Sequence, residues 1–136
     1  MINLTMYSDG GSRGNPGPAA CGVVIFGQNQ DELHRIAKTI GVTTNNQAEY
    51  QALVMGLEWA LSEYGQAEVL CRLDSELVVK QLKGEYKMKN AELRPWYDKI
   101  ILLQAQLGGK ITFQHVPREQ NKIADKLVNQ ALDGQI

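Results

Sequence analysis

The hydrophobic period of this chain first changes near residue 44, and that change does most to limit its fold. Before it lie three β-prone stretches joined by short turns. Residues 2–9 (INLTMYSD) alternate, and the pattern breaks at Gly10-Gly11. The stretch from Gly10 to Pro18 is turn material throughout, rich in Gly, Ser, Asn and Pro. Residues 19–27 (AACGVVIFG) form a continuous apolar run and read as a central buried strand. Asp31 to Ile40 reads as a third strand, after a turn around Gln28 to Gln30. Three successive strands with short connections predict an antiparallel meander.

From Asn45 to Tyr64 the apolar positions at 53, 57, 60 and 64 follow a helical stripe, closed by Gly65. Residues 67–73 (AEVLCRL) read as a fourth strand and Ser75 to Lys83 as a short helix. A basic linker containing Gly84 follows. Leu93 to Leu107 is a helix whose Pro95 is tolerable only in the first turn. Gly108-Gly109 ends it, Lys110 to Val116 is a fifth strand, and a last helix runs from Asn121 to Leu132. The order is βββ-α-β-α-α-β-α. Strands reached through helices run parallel to their neighbours. The expected fold class is therefore α/β: a five-stranded mixed sheet, three antiparallel strands then two parallel, with helices on both faces.

A length of 136 residues sits near the mode for one domain, so residues 1–136 are expected to share one core. No apolar run approaches the ~20 residues that span a bilayer. Met1-Ile2-Asn3-Leu4-Thr5 does not open a secretory signal. Cys21 and Cys71 sit in apolar stretches without metal-ligand spacing and read as buried thiols, which points to the cytoplasm and away from membranes. No apolar surface stripe is left over, so a monomer is expected. The net charge is -1, but it is unevenly spread. Six basic residues (Lys80, Lys83, Lys87, Lys89, Arg94, Lys99) face three acids between Lys80 and Lys99, with Tyr86, Trp96 and Tyr97 interleaved. Such a segment serves either as a nucleic-acid handle or as a solvated helical face.

Four carboxylates carry the chemical signal. Asp9 ends the first strand and Asp74 the fourth; on parallel, adjacent strands they would meet at the carboxyl edge of the sheet. Glu49 lies one turn into the first long helix and Asp125 one turn into the last. Each has an ordinary structural role to play by itself. Asp9 before Gly10-Gly11 can start a turn, and Asn46-Gln47-Ala48-Glu49 has capping-box spacing. Asp74 can cap the short helix, and Asp125 suits a helix dipole. None of those roles explains why all four occur with the residues around them.

Those residues resemble the type 1 ribonuclease H family. Tyr7-Ser8-Asp9-Gly10-Gly11-Ser12-Arg13-Gly14-Asn15-Pro16-Gly17 is similar to its opening motif, and Thr44-Asn45-Asn46-Gln47-Ala48-Glu49 to its TNNxAE helix start. Leu73-Asp74-Ser75 is similar to the third acidic motif and Asn121-Lys122-Ile123-Ala124-Asp125 to the last. The four occur in the family's order and spacing over essentially the whole chain. The resemblance implies a ribonuclease H-like fold and a metal-dependent endonuclease that cuts the RNA strand of RNA/DNA hybrids, leaving 5′-phosphate and 3′-hydroxyl ends. Asp9, Glu49, Asp74 and Asp125 would be catalytic and would hold two Mg2+ or Mn2+ ions, hard cations that prefer oxygen ligands. Without those four charges the rest of the chain carries +3, so the small net acidity does not argue against a nucleic-acid substrate.

Substrate-binding positions carried over from the resemblance are Gly11, Asn15, Asn45, Asn46 and Ser75 at the minor groove, Thr44 at a DNA phosphate, and Lys89-Asn90 on the backbone. Trp96 either lines the DNA channel or belongs to the core. The chain also departs from the family pattern. His115-Val116-Pro117-Arg118-Glu119-Gln120-Asn121 is shorter than the His-bearing glycine loop of many bacterial members. His115 is either that loop's His or a residue inside the fifth strand, in which case Arg118 or Glu119 takes part of its role. The basic linker is shorter than the protruding helix of some members, Glu76 adds a charge near the RNA, and His34 reads as structural. Two rival functions are a non-catalytic RNA- or hybrid-binding module of the same fold and a DNA nuclease or junction resolvase. A missing carboxylate would favour the first, and none is missing. The Asn pair and Gly-rich loop argue against the second, because they suit a 2′-OH.

Overall fold

A computed structural model of the chain describes residues 1–135. Five strands form one mixed sheet: β1 (Ile2–Ser12), β2 (Gly17–Phe26), β3 (Glu32–Thr43), β4 (Ala67–Leu73) and β5 (Gly108–His115). Their spatial order is β3-β2-β1-β4-β5. β1 pairs antiparallel with β2 and β2 with β3, whereas β4 runs parallel to both β1 and β5. The helices are α1 (Asn45–Tyr64), α2 (Glu76–Leu82), α3 (Arg94–Leu107) and α4 (Lys122–Leu132), with a 3-10 turn at Arg118–Gln120. No helix among the described residues is long and apolar enough to cross a membrane.

Two-residue periodicity along β1 assigns the faces. Leu4 and Met6 point to the main core, where Tyr50, Leu53 and Leu57 of α1 and Ile100 and Leu107 of α3 meet Val23, Ile25 and Val69. The opposite face is covered in part by α4, whose Val128 and Ala131 pack on Ala20. A Cβ at Gly22 would lie 2.3 Å from the Ala124 carbonyl oxygen, so only glycine lets α4 approach β2 this closely.

Several sequence expectations shift. β1 does not break at Gly10-Gly11; it continues to Ser12, paired as far as Ser12 with Ala19, so Asp9 lies within the strand rather than at its end. Gly10 is needed for packing instead of turning. A Cβ there would sit 2.1 Å from the Ala48 carbonyl carbon, within the backbone of α1. Thr44, not Asn46, caps α1, accepting from the Gln47 N–H, and Glu49 reaches across to β1 rather than back to its own helix. Ser75, not Asp74, caps α2 through the Val78 N–H at 3.3 Å. Gly108 caps α3 in a left-handed conformation (φ 67°) and also opens β5, two residues earlier than the apolar pattern suggests. His115 closes β5 opposite Leu73, inside the strand, and so is not a loop residue. Trp96 packs against the core, and His34 stacks on Trp59 with ring centroids 4.7 Å apart.

Candidate active site

Parallel pairing of β1 with β4 sets the site. The ladder aligns Tyr7 with Arg72, and the next positions on the same face are Asp9 and Asp74. Glu49 enters from one turn into α1, over Gly10, whose backbone N–H donates to Glu49 Oε1 at 3.0 Å. The ligand oxygens of Asp9, Glu49 and Asp74 all lie within 4.8 Å of one another. Asp125 stands on α4 outside this tight group, and its charge bears on Asp9. The entry into α4 is fixed by Asn121, whose Nδ2 donates to the Ser8 carbonyl at 2.9 Å. That bond ties the helix carrying Asp125 to the strand carrying Asp9.

The cluster is electrostatically loaded. Asp9 is 8% and Glu49 6% exposed. Burial, then the neighbouring Asp74 and Asp125 charges, push the Asp9 carboxyl up to about 7, although the adjacent Glu49 carboxyl opposes the shift. Burial likewise raises Glu49 well above the usual carboxylate range, with Asp9 adding to it. Asp74 is raised by burial and held back chiefly by the Arg118 guanidinium, with a smaller contribution from His115. Glu49 Oε2 is buried and has no hydrogen-bond partner. An orphaned carboxylate oxygen beside two further acids is a costly arrangement for the protein alone. It is the donor set that a hard divalent cation completes, with oxygen ligands only.

The cleft around these acids is lined by Gly11, Ser12, Arg13, Asn45 and Asn129. Asn45 Oδ1 accepts from the Ser12 N–H at 2.9 Å and the Ser12 hydroxyl at 3.1 Å, while Asn15 Oδ1 accepts from the Asn45 N–H at 3.0 Å. These bonds clamp the Gly-rich loop to the start of α1. They use the amide oxygen of each side chain. Arg13 anchors the same loop to the end of α4, 2.7 Å from Asp133. Asn46 and Ser75 are half-buried and Asn45 is exposed, all near the carboxyl edge of the sheet.

Residues 7–131 match the family described as reverse transcriptase-like. The structure of LC11-RNase H1, isolated from compost by a metagenomic approach, is similar to this one with a TM-score of 0.91 and 43% identity, covering 99% of each chain. The chain belongs to the type 1 ribonuclease H family. Ribonuclease HI of Halobacterium salinarum is 43% identical over 93% of this chain and 63% of its own length. The bifunctional protein Rv2228c of Mycobacterium tuberculosis is 39% identical over 97% of this chain, which spans 36% of that relative. The same LC11-RNase H1, in a further structure, is in complex with an RNA/DNA hybrid.

The chain differs from its sequence expectation around the site's rim. Arg118 lines the cleft, 3.8 Å from Asp125. Glu119 faces a separate cavity on the open side of the sheet, so of the two suggested substitutes for the loop His only Arg118 reaches the acids. Asn90 is committed to structure: its Oδ1 accepts from the Glu92 and Leu93 N–H groups and turns the chain into α3. Lys89 is exposed. Glu76 pairs with Lys80 at 2.8 Å, which offsets the charge it was expected to place near the substrate. Half of the basic segment is engaged in ion pairs, Lys80 with Glu76, Arg94 with Asp98 and Lys99 with Glu58; Lys83, Lys87 and Lys89 form none with another described residue. Sequence reasoning missed the Gln47–Glu92 hydrogen bond (3.1 Å), which docks this segment on the first turn of α1. It also missed Tyr7 and Arg72, although their positions two residues before Asp9 and Asp74 gave a usable signal.

Proposed function

We propose that this chain is a divalent-metal-dependent endonuclease that hydrolyses the RNA strand of RNA/DNA hybrids, leaving 5′-phosphate and 3′-hydroxyl ends. The observation that carries the reading is the convergence of Asp9, Glu49 and Asp74 within 4.8 Å at the carboxyl edge of the sheet, with Glu49 Oε2 unpartnered. The likeness to LC11-RNase H1, whose structure is in complex with a hybrid, supports the substrate. In this reading Asp9, Glu49, Asp74 and Asp125 hold two Mg2+ or Mn2+ ions. When bound, such ions supply Lewis-acid charge at the scissile phosphate and lower the pKa of water.

The chain's own groups do the rest. The Gly10 N–H fixes one Glu49 oxygen and leaves the other for the cation. Burial of Asp9 and Glu49 keeps bulk water away and strengthens their field. Arg118 supplies positive charge beside Asp74 and Asp125, where an anionic backbone must settle and leave. Asn15 and Asn45 have spent their Oδ1 atoms on the loop, so their Nδ2 groups are donors suited to the acceptors of a minor groove. Gly11, Asn46 and Ser75 complete the surface that meets the 2′-OH. Thr44 takes a DNA phosphate and Lys89, beside Asn90, the backbone further on. The two buried thiols, Cys21 and Cys71, fit a reducing compartment, and the reading places the chain in the cytoplasm, acting as a monomer.

The test is cleavage of end-labelled hybrid, duplex DNA, duplex RNA and single strands with Mg2+, Mn2+ or EDTA. Cutting of the RNA strand of the hybrid alone, abolished by EDTA, is expected. Binding of hybrid without cutting in either metal would replace the nuclease with a non-catalytic hybrid-binding module.

A further inference from the structure

The row of side chains that ends in Asp9 and Asp74 continues down the same face of the sheet into a second cavity, of about 680 Å3. It lies where α4 stops covering β1 and β4, beginning at Tyr7 and Arg72, roughly 7 Å along the strands from the acids. Its volume falls within the range of small-molecule sites. The notable group is Arg72. This guanidinium is half-buried and has no carboxylate partner among the described residues. It is held by neutral acceptors only: Nη1 donates to the Tyr7 hydroxyl at 2.7 Å and Nε to Gln114 Oε1 at 2.9 Å, with the guanidinium 5.6 Å above the Tyr7 ring. A guanidinium has five N–H donors, and neutral partners do not cancel its charge. The charge is therefore oriented but uncompensated.

Lys122 adds a second cation on the cavity wall, against the one acid there, Glu119. The amino terminus of α4 opens on the same wall without a side-chain cap, which adds to the positive field. The other wall is Phe26, set edge-on to Tyr7 with centroids 6.0 Å apart. Phe26, with Tyr7, gives the cavity an aromatic surface for a flat ligand. The exposed amide of Gln28 stands beside it. Two cations, an aromatic face and an amide match the parts of a nucleotide.

We propose that this open-face cavity is a nucleotide-binding site separate from the acid cluster, with the phosphate on Arg72 and Lys122 and the base against Phe26. The same chemistry is offered by a free 5′-mononucleotide and by the 5′-phosphorylated end of a strand.

The experiment titrates the full chain in EDTA, without hybrid, so its outcome is independent of hydrolysis at the acids. Probes are inorganic phosphate, adenosine 5′-monophosphate and a 5′-phosphorylated tetranucleotide, each to about 10 mM, followed by amide and Arg Nε chemical shifts. Saturable shifts at Phe26, Gln28, Arg72 and Lys122 are expected, with the nucleotide binding more tightly than phosphate. Loss of one charge-assisted contact weakens binding by about tenfold or more, so Arg72→Gln and Lys122→Gln should each raise Kd by that factor. Lys122 is exposed, so its substitution should leave the fold intact. Tighter binding of the tetranucleotide identifies a strand end as the ligand; tighter binding of the monophosphate identifies a free nucleotide. Absence of saturable shifts at these residues, or a Kd unmoved in both variants, overturns the proposal. Equal affinity for phosphate and nucleotide overturns the place given to the base.

Discussion

Asp9 shows how much one residue's surroundings decide. It is an ordinary strand position in sequence, yet burial and the charges of Asp74 and Asp125 lift its pKa from 3.8 to about 7. Replacing Asp9 or Asp74 by Asn keeps the shape and removes a ligand, so hybrid cleavage should fall by ~10^3-fold or more, equivalent to about 4 kcal/mol, while circular dichroism stays native. An Asp74→Asn variant with full activity would overturn the site. Gly10 is the opposite case, in which shape is everything. The backbone of Ala48 occupies the space of its missing Cβ. Gly10→Ala should therefore destabilise the protein by about 3 kcal/mol or more, read as a lowered urea midpoint. An unchanged midpoint would mean that α1 can lift off β1 freely. Arg118 acts by charge, restraining Asp74. Arg118→Ala should move the acid limb of the pH–rate profile to higher pH; a limb that stays put would leave Arg118 no electrostatic part.

At the scale of elements, the sequence was most legible where one force dominates. β4 carries a plain alternation and matches its expected span, and α1 runs from Asn45 to Tyr64 with its glycine cap, because a helical stripe and a left-handed terminator agree. The carboxylates were legible as a set because their spacing survives in the chain. Boundaries went astray where glycine was read locally. Gly10-Gly11 and Gly108-Gly109 look like breaks, yet long-range pairing with β2 and β4 keeps both in strands. The Thr44 cap was hidden for a related reason: Asn46 has cap-like spacing, but its Glu49 partner is drawn away by Gly10. No local pattern announces the Gln47–Glu92 contact, which joins residues 45 positions apart. The basic segment yields a prediction of its own. Changing Lys83, Lys87 and Lys89 together to Gln should raise KM for hybrid and flatten its salt dependence, since each lost phosphate contact reduces the log–log slope by about 0.9. kcat should hold. A fall in kcat at unchanged KM would show that the segment works on the chemistry and not on binding.

For the molecule as a whole, the acids couple stability to pH. The folded-state pKa of Asp9 lies above its unfolded value, so the folded protein keeps a proton that the unfolded chain has released. Its contribution to stability is complete at pH below about 4 and is lost as pH rises through about 7. Glu49 and Asp74, raised in the same direction, add to the loss. In EDTA the melting temperature should decline between pH 5 and 8, and a saturating divalent ion should restore it most at pH 8, where no proton has to be displaced. A melting temperature that is flat over this window in EDTA would contradict the buried, crowded cluster.

The position of β1 has a bearing on how the chain matures. It is the first strand in sequence but the middle one in the sheet, and its parallel partner β4 begins only at Ala67. The meander β1–β2–β3 joins near neighbours in sequence, whereas Asp9 and Asp74, 65 positions apart, are brought together only by the parallel pairing of β1 with β4. Contacts of that range are slow to close. A chain in which β1 and β4 have not paired therefore lacks the acid constellation. On the reading proposed above, a chain in which β1 and β4 are unpaired would be inert on hybrid, whatever the state of its β1–β2–β3 meander.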